Sequence, residues 1–454
     1  MRTSSLLLTI VAAAAASLTA CGGGQKTGSG LKGDVPPPPD VKKDIGSTDG
    51  RTVPAEVKRE ASKDEKADYN AALQAFNANE KAGWSSAACK QSAEKFDAVA
   101  REHAKLVEAF YMVGLSYQRC DMSEDAEKAY RRALSVNATH AHSLSNLGGI
   151  YYRAGKIEDA KKYWKSALDS SGKLSGAYVG LATTMLDDLR KTAPGAAWNK
   201  LADDISFNLS SALAVDSSDV RTYTVFGLFY LEGYERNKNR LDLAKLLLDE
   251  GEKRDTKFAP LKNARGLLLL RRNNLSEALK LFLNAVELDP KFMEARMNVG
   301  LTTLGFRKYD TSKEQFGKVL EQQPKNYDAI IGLGIALRGL GDFDGAEAQY
   351  KKAKDLDGKR GEAFFNLGVL YKDFKASKQA DLKAGQAAYS TARDYFKEFQ
   401  TKTGSEADKS EAKENITVCD KNIAMMANFL KNQAAQPPAT PAPATPAPAP
   451  APGK

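Results

Sequence analysis

The sequence predicts an all-α fold, a solenoid in which helix-turn-helix units stack as a right-handed superhelix. Two observations lead to this prediction. Glycines separated by 34 residues recur four times along the chain, and a period of this length is typical of helical repeat arrays. Twelve of the 17 prolines lie in two short segments that flank the repeats, so linkers bracket one long helical body.

The chain begins with an apolar segment that ends on a cysteine. This segment, residues 4–20, is shorter than the roughly 20 residues that span a bilayer, and it predicts a cleaved signal peptide at 1–20. Leu18-Thr19-Ala20-Cys21 resembles the lipobox of bacterial lipoproteins, in which the cysteine is acylated and becomes the new N-terminus. In that family, Gly22 in place of Asp implies an outer-membrane anchor facing the periplasm. The alternative is an ordinary secretory peptide.

Composition divides the rest of the chain. Residues 21–62 are rich in Gly, Pro, Lys and Asp and predict a lipidated flexible tether. A degenerate N-terminal unit is predicted at 66–104, eight full units at 107–405 and a capping helix at 407–433. Residues 434–454 are rich in Pro and Ala and predict a disordered tail, which is either inert or a polyproline II spacer or ligand. The full units are predicted to begin at Val107, Ala141, Ser175, Val220, Ala259, Met293, Tyr327 and Gly361.

Each unit repeats the same pattern of small and large residues. Gly or Ala stands at the eighth position, Ala at the twentieth and, in most units, an aromatic residue at the twenty-fourth, as in "FYMVGLSY" at 110 followed by "EDAEKAYRRALSV" at 124. This pattern resembles the tetratricopeptide repeat, whose two antiparallel helices approach closely at the small residues. Ile205 and Ser312 replace the twentieth-position alanine, so the third and sixth units fit the pattern less well.

Three units exceed 34 residues because they contain inserts. The inserts lie around residues 192–198 in the third unit, 235–239 in the fourth and 376–386 in the eighth. Because inserts map to turns along one edge of an array, they are candidate contact sites. The basic stretch at 236–240 is predicted to be solvated surface and not a nucleic-acid site, since the net charge of +9 is spread along the chain.

The resemblance to tetratricopeptide arrays implies that partners bind the concave side, at positions 2, 5, 9, 12 and 13 of the first helices. These positions are mostly apolar here and predict a groove lined by Tyr111, Leu115, Val179, Leu186, Leu228, Leu231, Leu267, Leu270, Met297, Leu301, Leu304, Ile331, Ile335, Phe365 and Val369. Charged residues stand at its edges, at Glu108, Arg119, Arg153, Arg271, Arg338 and Lys372. The alternative is that the superhelix closes on itself or on its terminal helix and buries this stripe.

Reactive side chains are few, and an enzyme is not predicted. No histidine lies near a cysteine, a nucleophile elbow or a phosphate loop, and His140 and His142 are predicted to be polar surface residues, not a metal site. No metal, cofactor or small-molecule substrate is predicted. Cys89 and Cys120 lie on neighbouring units and either form a disulfide in an oxidising periplasm or stay free. Cys419 is either buried in the closing helix or available for an intermolecular bond.

These features predict a non-enzymatic scaffold that is held on a membrane by the lipid on Cys21 and binds envelope proteins through its groove and inserts. The combination of lipobox, long array and Pro-Ala tail resembles the tetratricopeptide lipoproteins of the myxobacterial gliding machinery. Two alternatives are an assembly lipoprotein for a pilus or secretion pore and an adaptor for peptidoglycan enzymes. An enzyme or a receptor for a small ligand would instead require a closed pocket with converging polar groups.

Overall fold

The computed structural model describes residues 61–379 and 381–435, and all regular secondary structure within these ranges is helical. The all-α prediction is therefore confirmed. The predicted signal peptide, the lipidation site Cys21, the tether up to residue 60 and the tail from residue 436 lie outside the described residues. The chain divides into two compact units, Met1–Thr302 and Thr303–Lys454.

The described part of the first compact unit is a series of helical hairpins. Its helices are α1 (Lys63–Ala82), α2 (Ser86–Glu102), α3 (Val107–Gln118), α4 (Ser123–Val136), α5 (Ala141–Arg153), α6 (Ile157–Ser170), α7 (Ser175–Lys191), α8 (Ala196–Val215), α9 (Val220–Leu231), α10 (Arg240–Arg254), α11 (Ala259–Arg271), α12 (Leu275–Leu288) and most of α13 (Met293–Gly305). The two helices of each hairpin contact each other, and successive hairpins stack. The α1–α2 hairpin stands where the degenerate unit is predicted, with Phe76 and Phe96 fully buried in it.

The second compact unit continues in the same way. Its helices are α14 (Tyr309–Gln322), α15 (Tyr327–Gly339), α16 (Phe343–Leu356), α17 (Glu362–Val369), α18 (Leu382–Lys402) and α19 (Glu406–Ala435). The first helices of the eight repeats begin at the residues named from the sequence, except that the eighth begins at Glu362, one residue after Gly361. After α17 the chain continues as a π-helix at Leu370–Lys375 and a short 3-10 turn at Ala376–Lys378, where the eighth-unit insert is predicted.

The turn between the two helices of a repeat uses a left-handed residue. Asp121, Gly155, Asn273, Arg307 and Gly341 occupy the same place in five repeats, and all have positive φ, from 56° at Arg307 to 85° at Gly341. A residue in this conformation at the end of a helix lets following N–H groups reach the last carbonyls, and glycine adopts it without steric cost. Three repeats place a larger residue there and therefore hold a strained backbone.

Aromatic rings pack onto the repeating glycines, as the spacing predicts. A Cβ added to Gly114 would lie 2.5 Å from Cε1 of Tyr130, and one added to Gly148 would lie 2.5 Å from Cδ1 of Trp164. Tyr130 is fully buried and Trp164 nearly so. The two helices of a repeat can approach this closely only because the first carries no side chain at the point of contact.

The two repeats that lack the twentieth-position alanine still close. Ile205 and Ser312 are both fully buried. The hydroxyl of Ser312 lies 2.8 Å from that of Thr303 on the preceding helix and donates to the Lys308 carbonyl oxygen at 3.1 Å. A hydrogen-bonded pair of small side chains thus replaces the apolar contact in the sixth repeat.

The capping helix α19 covers the last repeat with one face, which includes the fully buried Ala412 and Cys419. Its outer face is not uniformly polar, because Val418, Met425 and Phe429 are exposed. Within the described ranges, the helices lack the combination of length and apolar character that would let one of them cross a membrane.

Candidate partner-binding surface

The first helices carry the residues predicted to line a concave groove, and most of these side chains are buried within the chain. The buried ones are Tyr111, Leu115, Val179, Leu186, Leu228, Leu231, Leu267, Met297, Leu301, Leu304 and Ile331. The half-buried ones are Leu270, Ile335, Phe365 and Val369. The expectation of an exposed apolar groove is therefore wrong for these eleven positions, because their side chains are buried within the chain. Partner binding at the four half-buried positions stays a prediction.

Large side chains at these positions fill the space between neighbouring repeats. The ring of Tyr111 on α3 lies 5.6 Å from that of Tyr130 in its own repeat, and 5.4 Å and 5.7 Å from the rings of His140 and His142 at the start of the next. Tyr111 is fully buried by these contacts. The Tyr111 side chain thus packs against the start of the following first helix and does not face an open groove.

The first compact unit also curls back on itself. Nζ of Lys291, in the turn before α13, lies 4.0 Å from a carboxylate oxygen of Asp121, in the turn after α3. Burial raises the pKa of Asp289 in the same turn, and the charge of Asp121 adds to the effect. Exposed ion pairs of this kind contribute little to stability. The contact nevertheless shows that the sixth repeat begins beside the first.

A chain of polar contacts runs along the late positions of the first helices. The Tyr152 hydroxyl donates to Asp187 at 3.1 Å, Arg190 donates to Asp187 at 3.1 Å, and Arg190 also donates to Glu232 at 2.8 Å. The three helices involved are α5, α7 and the end of α9, so the contacts join three successive repeats. We call these four residues the polar ladder. Burial raises the pKa of Asp187, although the Arg190 charge opposes this shift.

The polar ladder was not anticipated from the sequence. Tyr152 and Glu232 stand at positions 12 and 13 of their repeats, where the family binds partners, and this spacing was the available signal. A second ion pair of this type joins Arg119, directly after α3, to Glu80 on α1 at 2.6 Å, with the Arg119 guanidinium 5.6 Å from the ring of Phe76. Charged residues at these positions thus mainly bind one another.

Two guanidinium groups on this face keep unused hydrogen-bond donors. Nη1 of Arg153 and Nη2 of Arg190 are buried, and neither has an acceptor among the described residues. A buried N–H without an acceptor is costly, and an oxygen of a bound chain would satisfy either nitrogen only after the side chain moves to expose it. Arg153 is half-buried and directly precedes the α5–α6 turn.

Two asparagines of the first helices, Asn146 and Asn298, form hydrogen bonds inside the chain. Asn146 donates to the hydroxyls of Tyr130 at 2.9 Å and Tyr111 at 3.3 Å. Asn298 donates to the side-chain oxygen of Asn263 at 2.8 Å. These amides connect neighbouring first helices and are buried, which gives them a structural role.

The histidines correct one expectation. His140 is buried and not a surface residue, and its Nδ1 accepts the backbone N–H of Ser143 at 3.3 Å as the N-cap of α5. Burial, together with the charge of the neighbouring His142, lowers the pKa of His140 to about 3. His103 Nε2 lies 2.9 Å from Asp68 Oδ2, and with Glu102 these residues place three potential metal ligands within 4.8 Å of one another. The set is largely exposed, and the contact serves equally well as an ion pair.

The cysteines have two different environments. Cys89 on α2 and Cys120 after α3 form a disulfide that joins the N-terminal hairpin to the first repeat. Cys419 is the free cysteine of the described residues and is buried against Ala392 and Phe396. Burial raises the pKa of its thiol to about 11. A thiol that is buried and protonated at neutral pH is poorly suited to an intermolecular bond.

Family models identify the repeats. Models described as tetratricopeptide repeat match residues 107–140, 140–177, 263–304 and 300–361. The matched segments correspond to α3–α6 and to α11–α16, whose geometry is described above. The matched segments are therefore tetratricopeptide repeats, a module that generally acts as a non-enzymatic scaffold for protein–protein interaction.

Solved structures with this architecture come from several bacteria. A thermophilic tetratricopeptide protein of Thermus thermophilus has 19% identity and a TM-score of 0.37, over 44% of this chain and 99% of its own. PilF of Pseudomonas aeruginosa has 20% identity and a TM-score of 0.38, over 52% and 97%. The type IV pilus biogenesis factor PilW has 15% identity and a TM-score of 0.38, over 51% and 97%. No curated protein sequence shows significant similarity to the chain.

Proposed function

We propose that this protein is a scaffold of the bacterial cell envelope, anchored to the outer membrane by a lipid on Cys21 and facing the periplasm. The single observation that carries the proposal is the set of tetratricopeptide repeats matched at residues 107–177 and 263–361, a module that binds other proteins. The array contributes recognition and no reaction. Its partners are other proteins of an envelope complex.

Two features support the proposed location. The lipobox-like Leu18-Thr19-Ala20-Cys21 supplies an acylation site, and acyl chains hold a protein on a bilayer without a spanning helix. The Cys89–Cys120 disulfide is of the kind that persists in oxidising compartments such as the periplasm. Together they favour export followed by anchoring.

The groups that remain for contacts with a partner are both polar and apolar. Since the apolar side chains of the first helices are largely buried, the groups left for a partner are the guanidinium N–H groups of Arg153 and Arg190 and the half-buried Leu270, Ile335, Phe365 and Val369. Among envelope machines, the layout of lipobox, array and Pro-Ala tail favours the gliding machinery of myxobacteria. A pilus or secretion-pore assembly lipoprotein and an adaptor for peptidoglycan enzymes are the alternatives.

The anchor is tested by replacing the proposed acylation site. Cys21→Ala should move the protein from the outer-membrane fraction to the soluble periplasmic fraction, whereas the control Cys419→Ala should leave it in the membrane. Metabolic labelling with a fatty-acid analogue should label the wild type and the Cys419→Ala control, but not the Cys21→Ala variant. A Cys21→Ala protein that remains wholly in outer-membrane vesicles would contradict the lipid anchor.

The scaffold role is tested by crosslinked affinity capture from cells that express the full chain. Arg153→Gln should reduce recovery of the crosslinked partner, because it removes the unused donor, while Lys165→Gln on the exposed surface of α6 should not. Equal recovery with both variants would exclude the inner face as the binding surface. Recovery of no partner by the wild type would contradict the scaffold role itself.

A further inference from the structure

Two of the sequence inserts meet in the first compact unit. The third-repeat insert lengthens α7 to Lys191 and begins α8 at Ala196, which places Trp198 in its first turn. The fourth-repeat insert is the loop at 232–239 between α9 and α10. Gly233 in this loop has a φ of 69°, and a Cβ added to it would lie 3.1 Å from the Trp198 ring. The two inserts therefore contact each other, and Gly233 lies at this contact.

Arg240 holds the two inserts together from inside. Its Nε donates to the Glu232 carbonyl oxygen at 2.6 Å, and its Nη2 donates to that of Phe229 at 2.8 Å, which satisfies the last carbonyls of α9. The guanidinium lies 4.8 Å from the Phe229 ring centre and 5.8 Å from that of Trp198. Burial lowers the pKa of Arg240. This residue departs from the expectation that the whole 236–240 stretch is solvated.

Three further cations rest on aromatic rings at the surface of the inserts. The Arg236 guanidinium lies 4.2 Å from the Trp198 ring centre, Lys238 Nζ lies 4.8 Å from that of Tyr234, and the Arg271 guanidinium lies 5.1 Å from the same Tyr234 ring. We call these five residues the insert patch. Arg236 and Lys238 are exposed, and the other three are half-buried.

The charge of the insert patch is not neutralised by the chain. Within the described ranges, Arg236, Lys238 and Arg271 form no ion pair, whereas the nearby Glu232 pairs with Arg190. Lys191 and Lys200 flank the third insert and add two positive charges beside it, whereas Arg190 is paired with Asp187 and Glu232. Glu235 is the acidic residue of the fourth-insert loop that stays exposed and unpaired in the described structure.

We propose that the insert patch binds an acidic segment of a partner protein. An arginine whose face is stacked on an aromatic ring keeps its in-plane N–H groups, and these match a carboxylate in a bidentate pair. Stacking also restricts the guanidinium before binding, so less entropy is lost on complex formation. The exposed edges of Trp198 and Tyr234 provide contact for the apolar side chains that alternate with carboxylates in such a segment.

This inference names a second contact surface of the proposed scaffold and rests on that function only for its biological setting. The binding itself is measured on the purified full chain. If the acidic peptide does not bind, the insert patch is rejected as a contact surface, and the inner face of the first helices remains the proposed scaffold surface. If crosslinked capture recovers no partner, the scaffold role is contradicted, but binding of the peptide to the purified chain can still be measured.

The test uses two fluorescein-labelled peptides of equal length, one alternating Glu and Phe and the other alternating Gln and Phe. Fluorescence anisotropy should show binding of the Glu peptide, weakened by added salt, and much weaker binding of the Gln peptide. Arg236→Gln, Lys238→Gln and Arg271→Gln combined should weaken binding of the Glu peptide by about tenfold or more. Trp198→Leu should weaken it about threefold with unchanged helical signal.

A matched control separates the insert patch from net charge. Lys352→Gln, Lys383→Gln and Lys397→Gln remove the same charge from exposed positions of α16 and α18 and should change affinity less than about twofold. Equal weakening by both triple variants would overturn the proposal, as would equal binding of the two peptides. Binding of a sulfated polysaccharide, lost in the patch variant, with no binding of the Glu peptide would assign the insert patch to a polyanion and also overturn it.

Discussion

The ring of Tyr350 lies directly against the α-carbon of Gly334, so a Cβ added to Gly334 would be 2.5 Å from Cε1 of the ring. Tyr350 is fully buried, and the contact joins α15 to α16. The same relationship between a first-helix glycine and a second-helix ring recurs in other repeats. The absence of a side chain at Gly334 is therefore a condition for the close packing of α15 against α16.

Gly334→Ala should therefore destabilise the protein, by about 1–3 kcal/mol, because the added methyl overpacks a filled interface. Helix propensity alone would make the same change favourable by about 1 kcal/mol. The control is Gly317→Ala on α14, where an added Cβ meets no described atom within 4 Å. Urea unfolding should show opposite signs for the two variants. Stabilisation by both would contradict the packing argument.

Arg307→Gly should stabilise the protein. Arg307 has a φ of 56° in the turn between α13 and α14, where Gly155 and Gly341 stand in the equivalent turns. The left-handed conformation costs a residue with a side chain about 1 kcal/mol or more relative to glycine, and Arg307 is exposed, so little packing is lost. Thermal unfolding should show a higher midpoint for Arg307→Gly and a lower one for Gly341→Val. A lower midpoint for Arg307→Gly would show that its side chain contributes contacts that outweigh the strain.

The sequence predicted the elements that depend on local spacing. Positions of glycine, alanine and aromatic residues within a repeat determine which helices pair, and the contact of Tyr130 with Gly114 follows from them. The insert between α9 and α10 could also be located, because a lengthened repeat shows directly in the spacing.

The exposure of the first-helix stripe could not be predicted in the same way. Whether Leu301 faces a partner or another helix depends on how tightly successive repeats wind, and this is expressed in contacts such as that of Lys291 with Asp121, far apart in sequence. Leu301 is 2% exposed, so a charged substitution there would bury a charge and destabilise the fold, whether or not a partner binds at this position. The polar ladder was missed for a related reason, since its members belong to three repeats and meet only after stacking.

Removal of the Cys89–Cys120 disulfide should loosen the N-terminal hairpin. The bond closes a loop of 31 residues, and its loss is expected to cost about 3–4 kcal/mol through the greater entropy of the unfolded chain. Limited proteolysis should then cleave α1 and α2 faster in the Cys89→Ala, Cys120→Ala variant than in the wild type. Reductant should accelerate cleavage of the wild type and leave the rate for the variant unchanged.

A thiol assay shows whether the disulfide has been reduced. The thiol of Cys419 is buried and should react only after unfolding. Identical cleavage of oxidised and reduced wild type would show that packing alone holds the hairpin.

Protonation of His140 should destabilise the fold at acidic pH. The folded-state pKa is about 3, since burial and the adjacent His142 disfavour the charged ring. In the unfolded chain the pKa is about 6.5, so below this pH the unfolded state binds one more proton than the folded state and stability falls. Between about pH 6.5 and pH 5 the loss from this residue is expected to be about 2 kcal/mol.

The comparison that isolates His140 uses His140→Asn, because asparagine can cap α5 from the same position without titrating in this range. Free energies of unfolding in urea, measured at about pH 7.5 and pH 5, should decrease less for His140→Asn than for the wild type. The difference between the two decreases belongs to His140, since the other titrating groups are common to both proteins. Equal decreases would mean that the ring becomes protonated in the folded state, which requires α5 to open at its N-terminus.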